Sequence, residues 1–165
     1  MLQIRFNRLQ TWSPDSSITG GAQTNLTTPT YTLVADSASE PNAVQHAVSA
    51  LGGTQAGVVA HSISKPFTVT AVKPKVPKTL GPINSVTGVR NGTIPKNTHW
   101  IIIRKGVDCS SVDTNQLATV RVQIDVPAGA DSYDANSVRA MISFLVGILS
   151  EESADLGDTV VTGVL

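Results

Sequence analysis

The strongest constraint on this chain is a change of hydrophobic period at Pro127. From Gln116 to Val126 apolar and polar residues alternate. Val120, Val122, Ile124 and Val126 fall on one side, and Thr119, Arg121, Gln123 and Asp125 on the other. A period of two predicts an antiparallel strand with one buried and one wet face. Beyond the turn at Pro127–Asp134 the period lengthens. Val138, Met141, Ile142, Leu145, Val146 and Leu149 recur at helical spacing, which predicts an amphipathic helix over Ala135–Glu151, about 25 Å long. Asp131, Ser132 or Asp134 can cap it, each offering an oxygen to orphan N–H groups. A strand with one apolar face followed by a helix with one apolar stripe dictates a layered α+β fold. One helix covers only part of such a sheet. Either the N-terminal strands cover the remainder within the chain, or a second copy does so and extends the sheet at its edge.

The rest of the chain reads mostly as strands. Leu2–Arg8 alternates weakly and is a candidate first strand; Ser13–Thr28 is a Ser/Thr/Gly-rich loop; Thr30–Ala35 is a short strand; Asp36–Asn42 is a turn. Ala43–Leu51 fits either a strand or a helical turn. Val58–Ile63 and Phe67–Val72 read as consecutive strands, and His99–Lys105 as a strongly apolar one. Between them, Lys73–Lys96 contains Pro74, Pro77, Pro82 and Pro95 and is excluded as a central strand. Gly106–Asn115 is a loop, and a second short helix starts near Ser153. At 165 residues with no internal repeat, one domain over 1–165 is expected.

The formal charge is zero, but it is segregated. Residues 65–124 hold nine Lys/Arg against Asp108 and Asp113; from Asp125 onward there are seven acidic residues and only Arg139. A basic sheet and an acidic helical end imply two faces with two kinds of partner. Charged residues are only 15% of the chain, thin cover for a free monomer. Either copies bury one another, or Ser, Thr and Asn cover the surface.

Catalytic signatures are missing. His46, His61 and His99 are scattered, without a carboxylate or Cys at a recognisable spacing, and no phosphate-binding, nucleotide-binding or metalloprotease motif occurs. Asp131, Asp134 and Asn136 lack the pattern of a calcium loop and read as helix caps. An enzyme, a cofactor, a metal and a small-molecule substrate are not expected. Cys109 is alone, so no internal disulfide forms. No leader peptide and no membrane-spanning run is recognisable.

Hydroxyls and cations displayed on a sheet suit phosphate and ribose contacts. Thr68 and Thr70 on one strand, and Thr119, Arg121 and Gln123 on another, supply them, with Lys65, Lys73 and Lys105 nearby. Such residues also occur as ordinary solvated positions, and a secreted adhesion module or a small RNA-binding regulator fits the same composition.

The order of segments is more telling. "NAVQHAVSALGG", "SKPFTVTAVKP", "KNTHWIIIRK", "CSSVDTNQLATVRVQIDVP" and then "VPAGADSYDANSVRAMISFLVGILSEE" resembles the coat proteins of single-stranded RNA bacteriophages, the leviviruses, across roughly residues 30–160. The resemblance implies an N-terminal β-hairpin within 1–36, an antiparallel sheet of about five strands within 57–126, and two C-terminal helices with a tail within 134–165. It further implies an interlocked homodimer held by Val138, Met141, Ile142, Leu145 and Leu149. Dimers would assemble in the bacterial host cytoplasm into the icosahedral shell of the virion. The inner sheet face would bind genomic RNA and a translational-operator hairpin.

The RNA-facing residues implied are Thr68, Thr70, Lys73, His99, Lys105, Thr119, Arg121 and Gln123. On the His99–Lys105 strand two registers compete. Trp100 and Ile102 pointing to the core puts His99 and Lys105 toward RNA, and this is the expected register; the opposite one would put Arg104 there. Thr119 or Ala118 stands where the family often carries an aromatic that stacks on a base. Cys109 lies in the loop where Qβ-like relatives carry paired cysteines, and is either an intersubunit disulfide partner or a free thiol.

Overall fold

The structure, a computed structural model, describes Trp12, Pro14, residues 16–90 and residues 92–165. The candidate first strand Leu2–Arg8 lies outside the described residues. Six strands form one antiparallel sheet in chain order: β1 (Ser17–Thr19), β2 (Thr27–Asp36), β3 (Ala43–Thr54), β4 (Phe67–Val72), β5 (Lys96–Val107) and β6 (Gln116–Pro127). Among the described residues the sheet therefore begins at Ser17 and not near residue 57. The N-terminal pair β1–β2 is continuous with it, so there are six strands where about five were expected.

Each strand forms for a local reason. β5 and β6 pair without interruption from Lys96↔Pro127 to Val107↔Gln116, because both are rich in β-branched residues that fit a pleated surface. The ambiguous segment Ala43–Leu51 is strand β3, paired on both sides, so two ladders override its alanine content. Between Thr32 and Leu33 the β2–β3 register shifts, and Ser49 donates its hydroxyl to the Thr32 carbonyl there at 3.2 Å. Val58–Ile63 is not a strand. Its backbone–backbone link to the sheet is His61 N–H to the Val48 carbonyl at 2.8 Å, and the His61 ring Nδ1 accepts from the Phe67 N–H at 3.0 Å. β4 pairs with β3 only over Ala43–Ala47, so the segment runs beside the remainder of β3 and touches it at Val48 without forming a ladder.

The chain leaves the sheet at its β6 edge through Gly129, whose φ of 89° suits glycine. Leu80 packs where a Gly129 side chain would sit, fastening the long β4–β5 connection to this corner. Three helices follow: the single turn α1 (Ala130–Tyr133), α2 (Ala135–Glu151) and α3 (Ser153–Thr162). The expected long helix has the observed bounds. Of its three candidate caps, Asp134 is the one used, accepting from the Ser137 N–H at 3.3 Å.

The packing within one chain is meagre. Among the described residues the buried aliphatic side chains are Leu33, Ala47, Val48, Val126 and Ala128, and neither α2 nor α3 contains a buried residue. The accessible surface is 12550 Å² for 17.2 kDa, against about 7,800 Å² for a self-contained monomer of that mass. The chain has made its secondary structure but has not closed a core.

Replacing Asp134 by Ala should cost about 1 kcal/mol, read as a lower denaturant midpoint at fixed protein concentration, and Asp134→Asn should restore most of it. Equal midpoints for Asp134→Ala and the parent would mean the cap carries nothing.

Candidate nucleic-acid interface and the two faces of the sheet

Register assigns every strand residue to one of two faces. Thr68 opposes Arg104, Thr70 opposes Ile102, and Val72 opposes Trp100. On the next strand Trp100 opposes Gln123, Ile102 opposes Arg121, and Arg104 opposes Thr119. Directly paired residues share a face. One face therefore carries Thr68, Thr70, Trp100, Ile102, Arg104, Thr119, Arg121 and Gln123. The other carries Phe67, Val69, Ala71, Ile101, Ile103, Val120, Val122 and Ile124.

This corrects the expected register of β5. His99 pairs with Ile124 and Lys105 with Ala118 and Phe67, so both lie on the aliphatic face, away from Thr68 and Arg121. Arg104 and Trp100 take their place. The reason is visible in the strand itself. Trp100-Ile-Ile-Ile103 is apolar at both parities, so its own pattern fixes no register. The clean alternation of β6 does, because it places Arg121 opposite Ile102.

Lys105 has a structural role instead. Its Nζ donates to the Val59 carbonyl at 3.0 Å and sits 5.0 Å above the Phe67 ring, an attraction that holds the cation over the aromatic face. Desolvation, with the neighbouring Lys65 charge, pushes its ammonium below the ordinary lysine pKa. Phe67 packs edge-on against Tyr31 at 5.8 Å. Lys65 reaches Asp108 at 2.5 Å, and Asn115 donates to the Ser64 carbonyl, so the β5–β6 loop is tied down at both ends. Cys109 is exposed in that loop. Lys73 is exposed just past the end of β4, its N–H bonded to the Asn42 carbonyl.

On the polar face the expected hydroxyls are less available than their sequence pattern implies. Thr68 and Thr70 are only 4% and 5% exposed. Thr70 donates to Gln45 Oε1 at 2.9 Å, and Gln45 donates to Asp36 Oδ2 at 2.6 Å, a relay across β4, β3 and β2. The Gln45 amide, then the Ser37 N–H, hold the Asp36 carboxyl below the usual carboxylate range. The relay is thus intact at neutral pH and is lost as pH falls through that depressed pKa. Gln123 is similarly engaged, donating to Asp125 Oδ2 at 2.6 Å while Thr98 donates to Asp125 Oδ1 at 2.6 Å. The Asp125 carboxyl is lowered by Thr98 first and Gln123 second.

What remains free on this face is cationic. Among the described residues the ion pairs are Lys65–Asp108 and Lys75–Glu40, and neither Arg104 nor Arg121 has a side-chain partner. They are diagonal neighbours across β5 and β6. With Trp100, Ile102, Thr70 and Val72 they line an open cleft of about 340 Å³, with Ser39 and Glu40 on its rim. Guanidinium groups without an ion-pair partner, beside the half-buried Trp100 ring, suit a polyanion that carries bases. The described residues hold no cluster of three metal-ligating side chains.

The helix residues Val138, Ile142 and Leu145 are half-buried, and Met141 and Leu149 are exposed. Met141, Ile142, Leu145 and Ile148 face Ile124 across a gap at the β6 edge. No helix is long and apolar enough to cross a membrane.

No protein-family model matches the chain, and no curated protein matches it. Solved structures do. The virus-like particle of bacteriophage ESE020 superposes with a TM-score of 0.90 at 49% identity, over 94% of this chain and all of that one. The virus-like particle of Wenzhou levi-like virus 4 matches in fold, with a TM-score of 0.50 at 18% identity over 88% of this chain and 85% of that one. The antiparallel sheet followed by C-terminal helices is shared, at 49% identity over nearly the whole chain, with a subunit of a virus-like particle: the chain belongs to the levivirus-type coat proteins.

Proposed function

We propose that this capsid protein forms an obligate dimer, assembles from dimers into a closed shell in the bacterial host cytoplasm, and holds single-stranded RNA against its inner sheet face. The observation that carries the reading is the division of the sheet. Arg104 and Arg121 stand without counter-charges on one face, while aliphatic residues stand uncovered on the other, with Val120 58% exposed.

The aliphatic face and the α2 stripe need the same remedy. Burying a side chain the size of Met, Ile or Leu contributes roughly 1.5–3 kcal/mol. Met141, Ile142, Leu145 and Leu149 together are therefore worth about 6–12 kcal/mol, as much as the net stability of an ordinary domain. A second copy supplies the cover when α2 of each chain lies over the partner's sheet. β6, the free edge, then pairs with its counterpart, which satisfies its outward backbone groups and makes one continuous sheet.

That arrangement turns the Arg104/Arg121 face toward the shell interior. Buried Thr68, with Thr70 committed to Gln45, leaves phosphate contacts as the main source of affinity, so binding falls with salt. Trp100 offers the ring for base stacking that β6 lacks at Thr119. The operator hairpin implied by the family resemblance would occupy this same cleft.

Two outcomes are expected. Met141 and Leu149 are 48% and 42% exposed in one chain. Covered by a partner, each should cost about 2–5 kcal/mol on truncation to Ala; left in solvent, each should cost under about 0.5 kcal/mol. Denaturant titration of the dimer separates these cases, and the small value would remove α2 from the interface. For RNA, Arg104→Ala/Arg121→Ala should leave dimers intact but reduce nucleic acid co-purifying with particles several-fold. The salt slope for single-stranded RNA should fall by about 1.4, or 0.7 for each lost phosphate contact. Parent-like RNA content and slope would take both arginines out of the site.

A further inference from the structure

The 340 Å³ cleft, the aliphatic face and the β6 edge are absorbed by the reading above. The long β4–β5 connection is not. It leaves β4 after Val72, returns at Lys96, and is built as a defined arm. At its base Lys78 and Asn97 bond reciprocally, N–H to Oδ1 at 2.7 Å and Nδ2 to O at 3.0 Å, and Leu80 seats on Gly129. At its tip the Asn84 side chain accepts the Val86 and Thr87 N–H groups at 2.8 and 3.2 Å. Ile83 and Arg90 form a bridge, and the Arg90 guanidinium donates to the Gly81 carbonyl.

This ordered arm presents apolar residues to solvent: Val76, Ile83, Val89, and Val86 at 91% exposure. It also carries Lys73, Lys75, Lys78, Arg90 and Lys96 with no acidic residue between them. An arm fixed by its own hydrogen bonds has already lost its conformational entropy, so docking it costs little. Its complement is a surface both apolar and acidic.

Among the described residues the α2–α3 junction is such a surface. Glu151, Glu152, Asp155 and Asp158 fall within eight residues at the α2–α3 junction, beside exposed Leu156, Val160 and Val161. Thr24 donates to Asp158, but none of the four carboxylates has a cation within reach among the described residues. We propose that the β4–β5 arm of one copy docks on the acidic α2–α3 end of a neighbouring copy, as a contact between dimers. The inference rests on the shell-forming reading and adds the surface through which dimers meet. The aliphatic tip, without aromatics, favours this occupant over RNA.

The test is a charge exchange in the full chain. Lys78→Glu/Arg90→Glu, and separately Glu152→Lys/Asp155→Lys, should each yield dimers but at least ten-fold fewer shells by sedimentation. A chain carrying all four substitutions should recover shells. Parent-like yield from either half would overturn the proposal, as would failure of the four-fold exchange to rescue. Normal shell yield with reduced RNA from the arm variant would also overturn it, assigning the arm to nucleic acid. If the arm-reversed chain does not form dimers, Ile83→Ser/Val86→Ser/Val89→Ser decides, since these side chains are exposed in the protomer. Intact dimers with lost shells support the contact, and parent-like shells refute it. A parent that forms dimers and no shell would instead refute the shell reading itself.

Discussion

The structure depends on one unmet requirement: an aliphatic sheet face and an amphipathic helix, neither of which is covered within a single chain. Helix α2 contains no buried residue, and no large side chain anywhere among the described residues is fully buried. Backbone hydrogen bonds are made along five strand pairings, yet their net contribution is modest beside the apolar burial that normally stabilises a domain. On the proposed dimer reading, another copy provides the missing layer. Oligomerisation is then part of folding and not an event that follows it.

The same sheet also separates two kinds of chemistry with one backbone. Alternation puts Val120, Val122 and Ile124 on the side that needs cover, and Thr119, Arg121 and Gln123 on the side that stays wet. On that wet side hydrogen bonds consume the neutral groups: Thr70 through Gln45 to Asp36, and Gln123 and Thr98 through Asp125. The arginines are left over. Their charges act at long range in low salt and are screened within about 8 Å at physiological ionic strength, which fits the proposed retention of RNA by its phosphates.

Much of this was legible in the sequence. The bounds of α2 and the faces of β6 followed from period alone, because both segments are long and strongly patterned. The charge partition is only partly one of sheet against helices: Lys96, Arg104, Lys105 and Arg121 lie on strands, whereas Lys65, Lys73, Lys75, Lys78 and Arg90 lie in connections. The misses have physical causes. β5 is apolar at both parities around Ile101–Ile103, so its register is a property of its neighbours, and Arg104 and Trp100 were passed over for His99 and Lys105. Val58–Ile63 has strand composition but makes only the His61–Val48 backbone bond to β3 instead of a ladder. Thr68 and Thr70 lie on the expected face, but their burial between the side chains of β3 and β5 depends on pairing that no single strand reveals.

The most direct test of the account is whether a folded single chain exists. Particles dissociated under mild conditions and analysed by light scattering should give a species of twice 17.2 kDa. Its unfolding midpoint should rise with protein concentration, with loss of β-structure and loss of mass coinciding. A 17.2 kDa species that keeps its secondary structure and unfolds cooperatively at a concentration-independent midpoint would contradict the claim that the core is completed between copies.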